Sequence, residues 1–358
     1  MYIYPLIYVL LSLVLFTDFC KVNQRNTILS GIAICMILFI GLRGESGVDS
    51  INYIDFFKNH TDTFWNWKNE EKGYAEHGFY FLSIILKSIW NNINFYFLSI
   101  SAITIFFLIK SLKEFSLYPL LGFCTYYSRF LIIRDMNQIR QALAMVIIIY
   151  GFKYLLQDKK RIYLLCIIGA ILMHYSSIIV IPFLFLYKYK LSLKQATTII
   201  VVSLIIGIIG GILLKVVLIK TGFVIFLRYI NTENLGLINP VLIFQLMLCI
   251  IFFYYESILK KAQKGYYIIR NAYLYSTILL VLTCNMGEIG GRLATIFATC
   301  EIFIIPALSV IIKPRVCGYL ICWILTAFLF FMNYQKLLQE PESVSYTHLR
   351  AHETRGNL

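Results

Sequence analysis

Residues 196–214 read ATTIIVVSLIIGIIGGILL, 19 positions without one charged side chain. A helix needs about 20 mostly apolar residues to cross the hydrocarbon layer of a bilayer, and this run reaches that length. Two further runs behave alike, ILSGIAICMILFIGL at 28–42 and LATIFATCEIFIIPALSVII at 293–312. Each is far longer than the roughly ten alternating residues of a barrel strand, and lipid offers no partner to an open strand edge, so each is expected to be a helix. Composition carries the same message along the rest of the chain. Of 358 residues, 59% are hydrophobic and 14% charged, with a mean hydropathy of +0.76. An average soluble domain carries about 25% charged residues. The expectation is an all-α protein, a polytopic transmembrane helical bundle of about ten to twelve membrane segments including a re-entrant pair.

Residues 1–19 open with tyrosines instead of positive charge and lack a small-residue cleavage site, so they are expected to be a retained first helix. The nine cysteines sit mostly within spans, with no Cys-x-x-Cys pair and no Cys/His cluster at ligand spacing. Neither a disulfide framework nor a metal site is indicated. The formal net charge of +14 is spread in short Lys/Arg clusters between spans, the pattern that orients membrane helices and not that of a nucleic-acid binder. Residues 1–342 are expected to form one multi-span domain. At 343–358 the chain turns abruptly polar, SVSYTHLRAHETRGNL, and resembles a translated sequencing-adaptor scar. That tail, with His348 and His352, is set aside.

Simple alternation of spans places the basic clusters at 153–161 and 188–194 on opposite sides, against the positive-inside rule. Two adjustments remove the conflict. Residues 78–90 lie along the outer interface, and residues 162–187 leave and re-enter on one side as a bent pair with its bend near His174. The loop at 43–77, between the second and third spans, then lies outside.

Four polar regions stand out against this background. The first is that loop, which opens with GLRGESGVDSINYIDFF at 41–57 and closes with EKGYAEHGF at 71–79. Arg43 ends a span, and Asp49 with Tyr53 one turn further faces an aqueous cavity. The alternative is border chemistry, with Asp49 capping a helix that starts at Ser50. The second packs Arg134, Asp135, Asn137, Gln138, Arg140 and Gln141 into eight positions at the mouth of a span. A charge at the bilayer centre costs roughly 2.5 to 3.5 kcal/mol on insertion scales, so such a cluster lines a wet cavity or sits at the interface. Arg140 can present its planar fork to a phosphate or snorkel to the surface. The third is GAILMHYSSIIVIPFLFLY at 169–187, where His174 is embedded in an apolar run with Ser176 beyond it. The fourth is CNMGEIGGRLATIF at 284–297, where Glu288 and Arg292 pair at i, i+4 if helical, and the glycines mark either a break or close helix packing.

GLRGESGVDSINYIDFF, EKGY, NQIRQALA and MHYSSIIVIP, in this order and at these separations, resemble the EpsG family of exopolysaccharide proteins, related to Wzy-type O-antigen and capsule polymerases. The resemblance spans roughly residues 31–312. By motif it implies roles for Arg43 and Asp49, for Glu71 and Tyr74, for Arg140 and Gln141, and for His174 with Ser176. Tyr53, Glu288 and Arg292 rest on the residue chemistry alone. The implied protein is a multi-pass enzyme of the bacterial inner membrane. It transfers lipid-linked, polyprenyl-diphosphate oligosaccharide repeat units onto an acceptor sugar at the outer face. It needs no nucleotide sugar and no cofactor, with metal dependence left open, and its pathway partners are chain-length regulator and flippase proteins. Arginines would stabilise the leaving diphosphate, and His174 or Asp49 would deprotonate the acceptor hydroxyl. A histidine side chain titrates near 6.5, roughly where a base should be poised, which favours His174. The competing classes are a transporter or flippase of lipid-linked sugars, a polysaccharide acyltransferase and a non-catalytic component of an assembly complex. Transport predicts internal repeats with matching broken helices, and the chain shows no such repeat.

Overall fold

The computed structural model describes residues 2–47, 49–66, 75–221, 240–284 and 287–339, and among these every regular element is helical. A helix satisfies its own backbone hydrogen bonds, which is why apolar runs destined for lipid adopt it. The first half holds α1 (Ile3–Val14), α2 (Val22–Gly41), α3 (Ser50–Asn59), α4 (His77–Ile89) and α5 (Ile93–Phe115). After α6 (Pro119–Tyr126) the helix widens through a π turn, Tyr127–Leu131, and ends in Ile132–Arg134. Next come α7 (Ile139–Leu156), α8 (Lys160–Met173) and α9 (Leu193–Thr221). The second half holds α10 (Pro240–Tyr254), α11 (Glu256–Ala262), α12 (Tyr266–Leu282), α13 (Gly287–Ala298), α14 (Glu301–Leu308) and α15 (Arg315–Gln339). The main packing pairs are α7 with α8, α2 with α5, α12 with α13, and α5 with α7.

Among the described residues, five helices are long and apolar enough to cross a membrane, up to seven if the bent pairs α10–α11 (86°) and α13–α14 (50°) each count as one. The expected ten to twelve segments included apolar runs that the structure breaks or shortens. Composition measures how apolar a run is and not whether its helix is continuous. The α10–α11 elbow is braced by Arg270, only 1% exposed, which donates to Glu256 at 2.8 Å and stacks over Phe253 at 4.3 Å. In the fourth polar region, Gly287, Gly290 and Gly291 all lie inside α13. The breaks fall before that helix and after it, and Gly290 serves packing: a Cβ there would meet Thr283 Oγ1 at 2.6 Å.

The helices bring two sets of segments together at opposite ends. At one end Asp18 accepts from the Leu120 and Leu121 N–H groups, at 3.1 and 2.9 Å. Gln263 there donates to the Phe115 carbonyl at 2.7 Å, and Lys188 pairs with Asp158 at 2.6 Å. The last contact closes the bent pair. From Lys160 the 14 residues of α8 rise roughly 21 Å, less than the roughly 30 Å of a hydrocarbon core, and stop at His174, whose backbone is extended. A 3-10 turn, Tyr175–Val180, and the short helix Phe183–Leu186 lead back, and the Tyr187 hydroxyl donates to Asp158 at 2.9 Å. The segment thus returns to the end it left, which is what the basic clusters required. Helix α4, 13 residues long, buries Phe79, Tyr80 and Ile84 while Phe81 and Ile85 stay exposed. Gly78 lets it lie on α8, because a Cβ there would meet the Leu172 Cβ at 2.5 Å.

Asp18 caps α6 from a distant part of the chain, at the second and third positions of a helix whose first is Pro119, and it also accepts from the Tyr319 hydroxyl at 3.1 Å. This bond fixes the start of the broken helix that delivers Arg134. Asp18→Ala should therefore lower the apparent Tm of detergent-purified protein by an amount equivalent to about 2 to 4 kcal/mol, since charge-assisted hydrogen bonds are lost and two N–H groups stay buried. Asp55→Ala, at an exposed position on α3, should stay within about 0.5 kcal/mol of wild type. Equal effects of the two would show that the Asp18 cap is dispensable.

Candidate functional site

Glu76 stands immediately before α4 with its carboxylate buried and divided between partners distant in sequence. Oε2 accepts from Arg140 Nη1 at 2.5 Å, and Oε1 pairs with His174 Nδ1 at 2.8 Å. The Tyr175 N–H, just past the end of α8, donates to Oε1 at 3.3 Å. Burial pushes the Glu76 carboxyl up, yet the hydrogen bond with His174 and the charge of Arg140 outweigh it and hold it down at about 2. Arg140, at the start of α7, also reaches the Tyr53 hydroxyl with Nε at 3.5 Å, its guanidinium 6.0 Å from that ring. Its side chain is 18% exposed, so it does not snorkel to a surface.

Asp49, Tyr53, Gln138, Arg140, Gln141, His174 and Arg292 line one open cavity of about 340 Å³. Asp49 occupies the position before α3, but its side chain makes no capping hydrogen bond, and it lines the cavity instead. The loop that carries it is pressed onto residues 134–141 by Gly47. That residue has φ +110°, and a Cβ on it would collide with the Met136 carbonyl. Arg134 braces the cavity from behind. Its Nη1 donates to Gln138 and, at 2.7 Å, to Gln141, while Nη2 donates to Thr295 Oγ1 at 2.7 Å. Gln141 in turn donates to the Arg292 carbonyl at 2.7 Å, locking α7 to α13.

Six of the residues expected from sequence therefore meet here: Asp49, Tyr53, Arg140, Gln141, His174 and Arg292. Arg43 does not join them. It is buried in an adjoining smaller cavity, donates to the Asp135 carbonyl at 2.5 Å and stacks 4.2 Å from the Phe97 ring. Its Nε and Nη2 have no hydrogen-bond partner. Ser176 is half-buried with its hydroxyl unpaired and lines none of these cavities. Glu71 and Tyr74, and the side chain of Glu288, lie outside the described residues. The EKGYAEHGF segment does supply a carboxylate, but it is Glu76, which sequence reasoning passed over. Its only local signal is its place directly before an apolar helix. Arg134 was visible in the polar cluster, while its partner Thr295 lies 161 positions away.

The depressed Glu76 pKa has a defined pH signature. A carboxylate held below its ordinary 4.5 contributes stability that is complete above about 4.5 and is lost as pH falls toward about 2. Glu76→Gln should lower the apparent Tm by an amount equivalent to roughly 3 kcal/mol, because it leaves Arg140 buried without its counter-charge. The difference from wild type should not shrink between pH 8 and 5. A deficit that vanishes on acidification to pH 5 would mean that Glu76 is not held ionised by Arg140 and His174.

The family model described as EpsG family matches residues 26–347. The amylovoran biosynthesis protein AmsC of Erwinia amylovora is 24% identical over 338 residues, covering 87% of this chain and 86% of that protein. No solved structure matches the chain. With the family match running over nearly its whole length, this polytopic helical membrane protein belongs to the EpsG family.

Proposed function

We propose that this chain is an exopolysaccharide polymerase that transfers a polyprenyl-diphosphate-linked oligosaccharide onto the sugar hydroxyl of a second lipid-linked unit, at the outer face of the bacterial inner membrane. One observation carries the reading: a single cavity gathers an imidazole fixed by a carboxylate, a separate carboxylate and two guanidiniums, in a protein made of membrane helices. Family membership and the amylovoran biosynthesis relative support the same pathway class.

The chemistry asks for two functions. The acceptor hydroxyl must lose its proton as its oxygen bonds to the donor's anomeric carbon, and the anomeric carbon–oxygen bond to diphosphate must break with the electrons leaving on phosphate. His174 suits the first. Nδ1 is engaged by Glu76 at 2.8 Å, which leaves Nε2 as the ring nitrogen for a hydroxyl in the cavity, the logic of carboxylate–imidazole pairs in general. Asp49 lines the same cavity and is the second candidate base. Arg140 and Arg292 suit the second function, meeting the charge that grows on the leaving diphosphate. Glu76 gives Arg140 a fixed orientation before substrate arrives, and preorganised charge stabilises a transition state better than charge that must reorient. Tyr53 and Gln141 are placed to hydrogen-bond sugar hydroxyls.

The test uses purified protein in nanodiscs with synthetic lipid-diphosphate repeat units, read as a ladder of products. Wild type should extend the ladder, and His174→Ala should abolish it at an unchanged protein level. Arg140→Lys keeps the charge facing Glu76 but removes the planar fork, so it should insert normally and lose on the order of tenfold or more in polymerisation, as expected when one charge-assisted bond of about 1.5 to 3 kcal/mol leaves the transition state. Lys110→Arg, at the far end of α5, should match wild type. A normal ladder from His174→Ala would remove it as the base, and full activity in Arg140→Lys would make that arginine a structural brace only.

A further inference from the structure

A second cavity of about 410 Å³ shares a wall with the first. Arg134 lines it while holding Gln138 and Gln141, which line the first cavity. On α13, Gly291 faces the second cavity and its neighbour Arg292 the first. The two linings differ in kind. No aliphatic side chain lines the first cavity, whereas the second sets Arg129 and Arg134 among Ile133, Leu280 and Ala298. It also contains Gln245, 1% exposed, whose Oε1 has no hydrogen-bond partner. Buried amides are nearly always paired, and a half-turn of this one, which exchanges its oxygen and nitrogen, presents N–H donors to an anionic group in the cavity.

Guanidiniums beside an aliphatic wall are complementary to an anion that carries hydrocarbon. We propose that this second cavity binds the diphosphate end of a polyprenyl-linked substrate. Phosphate oxygens lie on Arg134 and Arg129, the amide of Gln245 is turned to donate to the same group, and the first isoprene units rest on Ile133, Leu280 and Ala298. The inference rests on the polymerase reading and deepens it. That reaction joins two lipid-linked diphosphates; the polar cavity serves the donor's, and the second cavity holds the acceptor's, so that its sugars extend past the Arg134 wall toward His174. Arg129 is kept in place by buried Glu301, which accepts from its Nε at 3.2 Å and from the Tyr273 hydroxyl at 3.1 Å.

The probe is farnesyl diphosphate, titrated into the purified full-length chain and followed by calorimetry, with inorganic diphosphate and phosphatidylglycerol as separate arms. Farnesyl diphosphate should bind saturably, and more tightly than inorganic diphosphate. Ala298→Phe, which fills the aliphatic side, and Arg134→Lys should each weaken it about tenfold or more, and inorganic diphosphate should not respond to Ala298→Phe. Gln245→Leu guards against loss of fold: replacing an unpaired buried amide by an apolar side chain of similar size should leave the apparent Tm unchanged or raised, yet weaken farnesyl diphosphate binding. Wild-type affinity in both Ala298→Phe and Gln245→Leu would overturn the proposal. So would displacement of the probe by phosphatidylglycerol at equal concentration, which would make this a bilayer-lipid site. His174→Ala separates the two readings. It should retain farnesyl diphosphate binding while making no polymer; a normal product ladder from Ala298→Phe and Gln245→Leu leaves the polymerase reading standing and ends this one, and saturable farnesyl diphosphate binding by a wild-type chain that extends no ladder does the reverse.

Discussion

The arrangement of the polar end depends on one carboxylate. Glu76 has two oxygens and spends both on groups that a helical membrane protein can hardly keep otherwise, a guanidinium at the start of α7 and an imidazole at the end of α8. These two partners lie 64 and 98 positions away from Glu76 along the chain. Nothing local holds them in register. An arginine facing apolar helices without a counter-charge bears the full cost of its desolvation, and a carboxylate alone in the same place takes up a proton. Together they remain ionised, and the mutual requirement fixes the position of α4, the mouth of α7 and the turn at His174 at once. The Tyr175 N–H joins the same oxygen, so the break in α8 and the ion pair stabilise each other.

The two ends of the bundle use charge differently. At the end that gathers Asp158, Lys188, Glu114 and Lys264, the ion pairs are solvent-accessible, with side chains 39 to 65% exposed, and such pairs contribute little to stability. At the cavity end, Glu76 and Glu301 are withdrawn from water, with side chains 5 and 0% exposed, and each takes an arginine as partner. Arg43 donates to one carbonyl and stacks on one aromatic face, and among the described residues two of its nitrogens have no hydrogen-bond partner. A fold selected for stability alone would replace these groups with well-packed hydrocarbon at no loss. Buried charge also stands at the other end, where Asp18 and Arg270 brace helix breaks, but at this end it gathers around two cavities, which is the physical reason to assign chemistry here.

The class of fold was legible because membrane insertion constrains composition directly: run length and charge poverty are local properties, and 196–214 states them without help from the rest of the chain. The bent pair was legible from a global rule, since basic residues at 153–161 and 188–194 needed one side, and Lys188 does meet Asp158. Continuity of helices was not. The π turn after Tyr126 and the elbow at Tyr255 depend on contacts that no run of apolar letters contains. Within the site, Arg140, His174 and Arg292 stood out because a polar residue in an apolar neighbourhood is conspicuous, and Asp49 because it directly precedes a short helix one turn before Tyr53. Glu76 sat in a loop with six other carboxylates, where no such contrast exists, and only its distant partners distinguish it. Gln245 was hidden for the opposite reason, as a single amide in a helix that is otherwise apolar and charge-free.

Most of the cavity-lining side chains come from the ends of helices. Asp49 precedes α3, Gln138 and Arg140 flank the first residue of α7, and His174 follows α8, while Glu76, which joins two of these groups, precedes α4. Helix ends are where the backbone leaves its own hydrogen-bonding groups unmet, with partial positive charge at N-termini. Three of the four helices named here start at the site, so the backbone adds to the arginines in favouring an anion. The same placement explains why the recognisable motifs are short. Each needs to specify only a helix end and one or two side chains on it, while the intervening spans can vary so long as they stay apolar and keep their length. The constraint sits where segments meet, at Glu76 above all, and not along the helices that carry them there.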